Sequence, residues 1–205
     1  MASKQNTVNW GGLNLLVDQV ITGVTSSGAG EAASLGTKGT VTTEGTTSLN
    51  EETVIGGLHT VQLDLTSFAV GTSGDAAALG LGASLYTLPA GDIIIEGCVV
   101  RGALTADISA TTDTPEFGLG NVVASGVNAT LGAVDAGCEN ICGPWVATNV
   151  AGDTPTDGGS DTQGTFIASA DPHVVYFNVA DTWADVTAAG AVTFDGYVVL
   201  KYRVL

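Results

Sequence analysis

Between Gly102 and Leu200 the chain contains no lysine and no arginine, against twelve aspartates and glutamates. The whole chain has 5 basic and 21 acidic residues, a formal net charge of −16. A surface of that sign repels a phosphate backbone, which is bound by basic groups that displace counterions. It is repelled by anionic lipid surfaces too. Nucleic-acid and membrane-surface roles are therefore set aside, and the charge is expected to serve solubility and resistance to self-association, or to meet a basic partner. Long apolar runs are also missing. "MASKQNTVNWGGLNLLVDQV" lacks the apolar core of a secretory signal, and no later stretch approaches a membrane span, so a soluble protein made in a cytoplasm is expected.

Groups that carry chemistry are scarce. There is no G-x-S-x-G, no P-loop and no G-x-G-x-x-G. The two histidines, His59 and His173, are far apart in sequence, and His173 reads as the edge of a strand beside Pro172. No catalytic residue and no cofactor is expected. Of three cysteines, Cys98 reads as a small core residue. Cys138 and Cys142, spaced C-x3-C, have no second ligand pair nearby for zinc and could instead form a local disulfide in an oxidising medium. Asp153, Asp157 and Asp161 are four apart in a Gly-rich loop. A calcium loop spaces its ligands two apart and closes with Glu, so a solvated loop is the plainer reading and no metal site is assigned. "NAT" at Asn128 matches a glycosylation acceptor by chance. Trp10, Trp145 and Trp183 are too scattered to argue a sugar-stacking platform.

What is present is β-forming. Charged residues are only 13% of the chain and glycine contributes 29 residues, a balance that favours strands and turns over helices. From Leu58 the pattern is regular. "HTVQLDLTSF" alternates Val61, Leu63 and Leu65 with Gln62, Asp64 and Thr66. In "LYTLPAGDIIIEGCVV" Pro89 ends one strand, Gly91 permits a turn, and Ile93, Ile95, Gly97 and Val99 share one parity of the next. Further candidates are Gly120 to Ser125, Ala129 to Val134, Trp145 to Asn149, "TQGTFIASA", "PHVVYFNVA" and "AVTFDGYVVLKYRVL". In the last, Val192, Phe194, Gly196, Val198, Leu200, Tyr202 and Val204 share a face, Gly196 marks a bulge or bend, and Lys201 and Arg203 are poised to meet acids on a neighbouring strand or subunit. Only "AGEAASLG" and "DTWADVTAAG" suggest short helices. About eight strands without helical crossovers predict an all-β fold, an antiparallel β-sandwich of jelly-roll form.

Residues 1–57 differ. Trp10, Leu13, Leu15 and Leu16 belong to a short apolar cluster, and residues 21–57 are dominated by Gly, Thr, Ser and Ala. Such a stretch buries little and reads as an extended arm that orders on a partner, with the cluster as its anchor. The other arrangement is an edge strand and loops packed on its own domain. The expected organisation is an N-terminal anchor and arm over 1–57 and a β-sandwich over 58–205.

The segments "H-T-x-x-L-x-L" (His59 to Leu65), "L-Y-x-x-P-A-G-x-I-x-I-x-G" (Leu85 to Gly97), "A-T-L" (Ala129 to Leu131), "VVYFNVAD" and the closing strand Val192 to Leu205 resemble a group of tailed-bacteriophage virion proteins. The resemblance covers about residues 58–205 and lies in turns and strands, with no catalytic motif. It implies a capsid decoration, or cement, protein on the capsid exterior, assembled in the host cytoplasm. The partner so implied is the major capsid protein, and the state a homo-oligomer, with a trimer favoured. The other readings are a phage fibre or receptor-binding module, a surface-layer or adhesion module, and a carbohydrate-active enzyme on a jelly roll.

Overall fold

The computed structural model describes residues 7–10, 13–16, 39–41, 46–55, 57–73, 77–106, 112–134, 137–147, 160–161, 165–167, 173–186 and 189–205. The chain divides into two units, Met1–Gly36 and Thr37–Leu205. In the first, β1 (Thr7–Trp10) and β2 (Leu13–Leu16) form an antiparallel hairpin with Trp10 opposite Leu13.

The second unit contains two antiparallel sheets. One joins β10 (Ser160–Asp161) and β11 (Thr165–Ile167), both on β7 (Ile93–Thr105), then β13 (Gly190–Val204), β5 (Leu58–Ser73) and β4 (Thr46–Ile55). The other runs β3 (Thr40–Val41), β6 (Gly80–Thr87), β12 (Val174–Ala180), β8 (Glu116–Gly120) and β9 (Cys142–Val146). A single turn of helix, α1, spans Leu131–Val134. From β5 onward the chain mostly passes from one sheet to the other, so residues distant in sequence face each other across one core.

The all-β sandwich expected from the alternation is what forms. Val61, Leu63 and Leu65 are buried while Gln62, Asp64 and Thr66 face outward. Phe177 of β12 sits at the centre, its ring centroid 6.2 Å from Phe68, 6.2 Å from Phe117 and 4.7 Å from Phe194. Burying each such side chain contributes roughly 2–3 kcal/mol. Gly91 takes a positive φ of 120° in the turn that Pro89 introduces. β13 is irregular against β5 between Phe194 and Gly196, where glycine marked a bend.

Several expectations are corrected. In β7 a second bulge, between the pairs Lys201↔Gly97 and Tyr202↔Ile95, leaves Glu96 as the extra residue and reverses the parity beyond it. Cys98 and Val100 therefore point into the core with Ile93 and Ile95, and Val99 turns outward. Gly120 to Ser125 and Ala129 to Val134 are not strands: β8 stops at Gly120, and Leu131–Val134 is helical. The strand expected over Trp145–Asn149 lies earlier, at Cys142–Val146. Within "DTWADVTAAG" a turn forms at Ala184 and Asp185, after Trp183 at a φ of 52°. Within the stretch read as arm, Thr46–Ile55 is a strand that pairs with Leu58–Thr66 of β5. Ile55 faces Leu58, and Gly57 has a φ of 77°. A Gly-Gly pair between β-forming runs is a hairpin signal, and the two runs that flank it here pair antiparallel. Residues 21–38, including "AGEAASLG", lie outside the described residues.

Candidate functional site

The outer face of the five-stranded sheet is unusual because it has few side chains. Gly80 and Gly82 of β6 alternate there, as do Gly118 and Gly120 of β8, with Asn178 of β12 registered between Gly82 and Gly118. A Cβ on Gly120 would lie 2.0 Å from the Gly137 carbonyl oxygen, and one on Gly82 only 2.9 Å from the Ala124 nitrogen. The missing side chains let the segment after β8 lie with its backbone directly on the sheet.

Asn178 fastens this cover. Its side chain is fully buried. Its Oδ1 accepts from the Ala124 N–H at 2.8 Å, and its Nδ2 donates to the carbonyls of Val122 at 2.9 Å and Cys138 at 2.7 Å. Around it, the Asn121 N–H donates to Asn140 Oδ1 at 3.1 Å, and Asn140 Nδ2 returns a bond to Asn121 Oδ1 at 2.9 Å. The Gly126 carbonyl accepts from Leu79 and Gly80, and Glu116 Oε2 accepts from the Leu131 N–H at the start of α1. Ala124, Leu131, Cys138 and Ala180 form a small second core beneath the cover. Asn128, the glycosylation match, donates from Nδ2 to the Ala133 carbonyl at 2.6 Å.

The cover presents apolar groups outward. Val122, Val123 and Val127 are 37%, 40% and 64% exposed, three of the six large exposed apolar side chains among the described residues. Residues 117–134 carry no charge at all. On a chain of net charge −16, this is a neutral, apolar surface held in one shape by buried hydrogen bonds.

Beside it, at the end of the sandwich where β12 closes and β13 begins, carboxylates crowd. The Asp185 N–H approaches both oxygens of Asp113 at 3.3 and 3.4 Å, while Asp185 Oδ2 accepts from the Thr112 N–H at 2.8 Å and from the Thr112 hydroxyl. Asp181 Oδ1 accepts from the Thr182 N–H at 2.6 Å, and its buried Oδ2 has no partner among the described residues. Burial pushes the carboxyl pKa of Asp181 up, opposed by its hydrogen bonds to Thr182, and the nearby charge of Asp113 adds to the rise. Burial likewise raises that of Asp113, with Asp185 adding, and that of Glu139, with Glu116 adding. A carboxyl whose folded pKa is raised binds its proton more tightly folded than unfolded. Its contribution to stability is full below the ordinary aspartate value and is lost as pH rises through the raised one. Asp181→Asn keeps an acceptor for Thr182 and removes the charge. It is expected to raise the urea midpoint near pH 7, with the gain vanishing near pH 3. An equal gain at both pH values would contradict this.

Of the residues singled out from the sequence, Asn128 lies in the cover and Cys138 beneath it. Trp10, Leu13, Leu15 and Leu16 lie in β1 and β2, and the placement of their side chains falls outside the described residues. Asp161 is in β10 opposite Cys98, while Asp153 and Asp157 lie outside the described residues. Among the described residues no group of three or more His, Cys, Asp or Glu could hold a metal ion. His59 is buried, its ring stacked on Tyr202 at 4.5 Å, and the His173 carbonyl accepts from the Leu88 N–H. The cysteine pairing differs from the local one considered. Cys98 and Cys142 are joined by a disulfide across the two sheets, and Cys138 keeps its thiol under the cover. Asn178 was missed: one asparagine inside "VVYFNVA" gives no sign in sequence that it fastens a loop.

Among the described residues no helix is long and apolar enough to cross a membrane, which leaves β-barrels unaddressed. No protein-family profile matches the chain, and no curated protein matches it. Among solved structures the chain is similar to one in the cyanophage Pam1 capsid asymmetric unit, with a TM-score of 0.40 and 17% identity, covering 72% of this chain and 85% of that one.

Proposed function

We propose that this protein is a structural virion component that decorates and stabilises a bacteriophage capsid by binding the major capsid protein. The observation that carries this reading is the cover: a neutral surface bearing Val122, Val123 and Val127, fixed in advance by Asn178 on an otherwise acidic chain. A preformed apolar surface loses little conformational entropy on docking, so its burial goes largely into affinity. The sequence resemblance to phage virion proteins points the same way. So does the strand order β5-β13-β7-β10 facing β6-β12-β8-β9, which supports the jelly-roll form. In this proposal the hairpin bearing Trp10, Leu13, Leu15 and Leu16 adds a second anchor, and the protein acts as a homo-oligomer, a trimer being favoured.

The test is binding of the purified full chain to isolated undecorated capsids and, in parallel, to host cells. Saturable binding to capsids is expected. Val123→Asp with Val127→Asp places two charges where an apolar contact would form and should weaken capsid binding by about a hundredfold. Val127→Asp alone, at a side chain 64% exposed, should weaken binding in the same direction without moving the melting temperature. Binding to cells and not to capsids would replace this reading with a receptor-binding module. Undiminished capsid binding by the double variant would remove the cover from the interface.

A further inference from the structure

The edges of the two sheets are not alike. In the five-stranded sheet one edge is β3, two residues long, and the other is β9, five residues with Pro144 among them. In the six-stranded sheet one edge is made of β10 and β11, two and three residues long. A short edge, or one with a proline that has no N–H to offer, gives a further strand little to pair with. The other edge of that sheet is β4, ten residues without proline or lysine, paired among the described residues with β5 alone. Along an antiparallel edge every second residue directs its N–H and C=O away from the sheet, so β4 offers a row of backbone donors and acceptors.

The register shows which strand fits. The irregularity between Leu49 and Glu51 leaves Asn50 as the extra residue of β4. Beyond it Glu52 is level with Val61, which is fully buried, and Glu51 with Gln62 on the outer parity. The middle of β4 therefore has one acid at a core-side position and one at an outer position, and the strand has no basic residue. A charge at a core-side position of an edge strand guards against pairing with another copy. A second β4 paired about its middle would set these glutamates against one another, and like charges directly opposite destabilise a pair. A strand with basic residues at those two places meets them with the opposite charge.

From this we infer that the outer edge of β4 takes up an extended segment of a partner protein as an added strand, with two adjacent basic residues of that segment opposite Glu51 and Glu52. Backbone hydrogen bonds supply the affinity, and the glutamates set the register and select the charge. Neighbouring residues of a strand lie on opposite faces, so a Lys-Lys or Arg-Arg step meets both acids at once. The core-side positions that flank Glu52 are Leu49 and Val54, level with Leu63 and His59, so apolar residues suit the partner at those places. The inference is independent of the capsid reading and is tested without capsids.

The experiment is hydrogen–deuterium exchange on the purified full chain, read over residues 46–55. The probe is a capped peptide as long as β4, alternating Val and Thr around a central Lys-Lys pair. Two controls accompany it, one with Glu-Glu at the centre and one that keeps Lys-Lys but has proline at alternate positions. The Lys-Lys peptide is expected to bind at about 0.1 mM in low salt, and the Glu-Glu peptide about tenfold more weakly. Binding should slow exchange over 46–55 and leave the other strands unchanged. The proline peptide carries the same charge and should protect nothing, which separates strand addition from attraction to an acidic chain. Glu51→Lys with Glu52→Lys should reverse the preference between the Lys-Lys and Glu-Glu peptides. If that variant does not fold, Glu51→Gln with Glu52→Gln should abolish the preference instead. No protection of 46–55 at millimolar Lys-Lys peptide overturns the inference, as does equal protection by either control. Slow exchange of all of 46–55 in the free protein overturns it too: the cover is then the chain's own if protection is independent of concentration, and a second copy if protection rises with concentration.

Discussion

Asn178→Ala is expected to lower stability by about 3–4 kcal/mol and to open the cover while the sandwich beneath stays folded. The substitution leaves the Ala124 N–H and the carbonyls of Val122 and Cys138 without their partner. Each buried orphan costs about 1–3 kcal/mol, and water entering a loosened cover recovers part of the sum. The main core does not depend on this asparagine, because Phe177 and Val179 on either side of it point to the opposite face. Cys138 supplies the readout. It is fully buried in the second core and is the one cysteine outside the disulfide. Opening by about 3 kcal/mol should speed its alkylation by roughly a hundredfold. Gly120→Ala should give the same result by another route, since its Cβ would lie 2.0 Å from the Gly137 carbonyl oxygen. Alkylation of Cys138 at the wild-type rate in both variants would show that the cover is not held in this way.

Strands were legible where local pattern and tertiary role agree. β5 and β13 alternate because one side faces the core and the other faces out, and Pro89 with Gly91 marks the turn before β7 through backbone constraints alone. Reading failed where a distant group decides. Val122 and Val123 look like strand residues, yet backbone groups of this segment bond to Asn178, more than fifty positions away. The parity of β7 reverses at a bulge set by its pairing with β13, so Val99 changed sides. One signal was present and unread: glycines two apart at Gly80 and Gly82, and again at Gly118 and Gly120, share a strand face and foretell close approach by another backbone. The charge of the six-stranded sheet could be read only in part. Arg203 meets an acid on the neighbouring strand, as its place in β13 led one to expect, but only the pairing of β13 with β7 makes that acid Glu96.

Reduction of the Cys98–Cys142 disulfide is expected to lower stability by about 4 kcal/mol. The bond links β7 in one sheet to β9 in the other, with Cα atoms 6.3 Å apart and 44 residues of sequence separation. A cross-link closing a loop of that length removes about 4 kcal/mol of conformational freedom from the unfolded chain. Its position adds a local effect. β9 is an edge strand, paired among the described residues with β8 alone, so the disulfide holds the edge of one sheet to the middle of the other. Both cysteines are buried, and a reductant reaches them only through opening of the edge. In a reducing compartment the pair stays as thiols and the protein is at its less stable level, and transfer to an oxidising medium raises it. The measurement is thermal unfolding with and without dithiothreitol, where a fall of about 10 °C is expected for a chain of this size. Cys98→Ala and Cys142→Ala should each lose the response to reductant, and Cys138→Ala should keep it. Loss of the response in Cys138→Ala, with its retention in Cys98→Ala, would instead establish the local pair of Cys138 and Cys142 and disprove the link between the sheets.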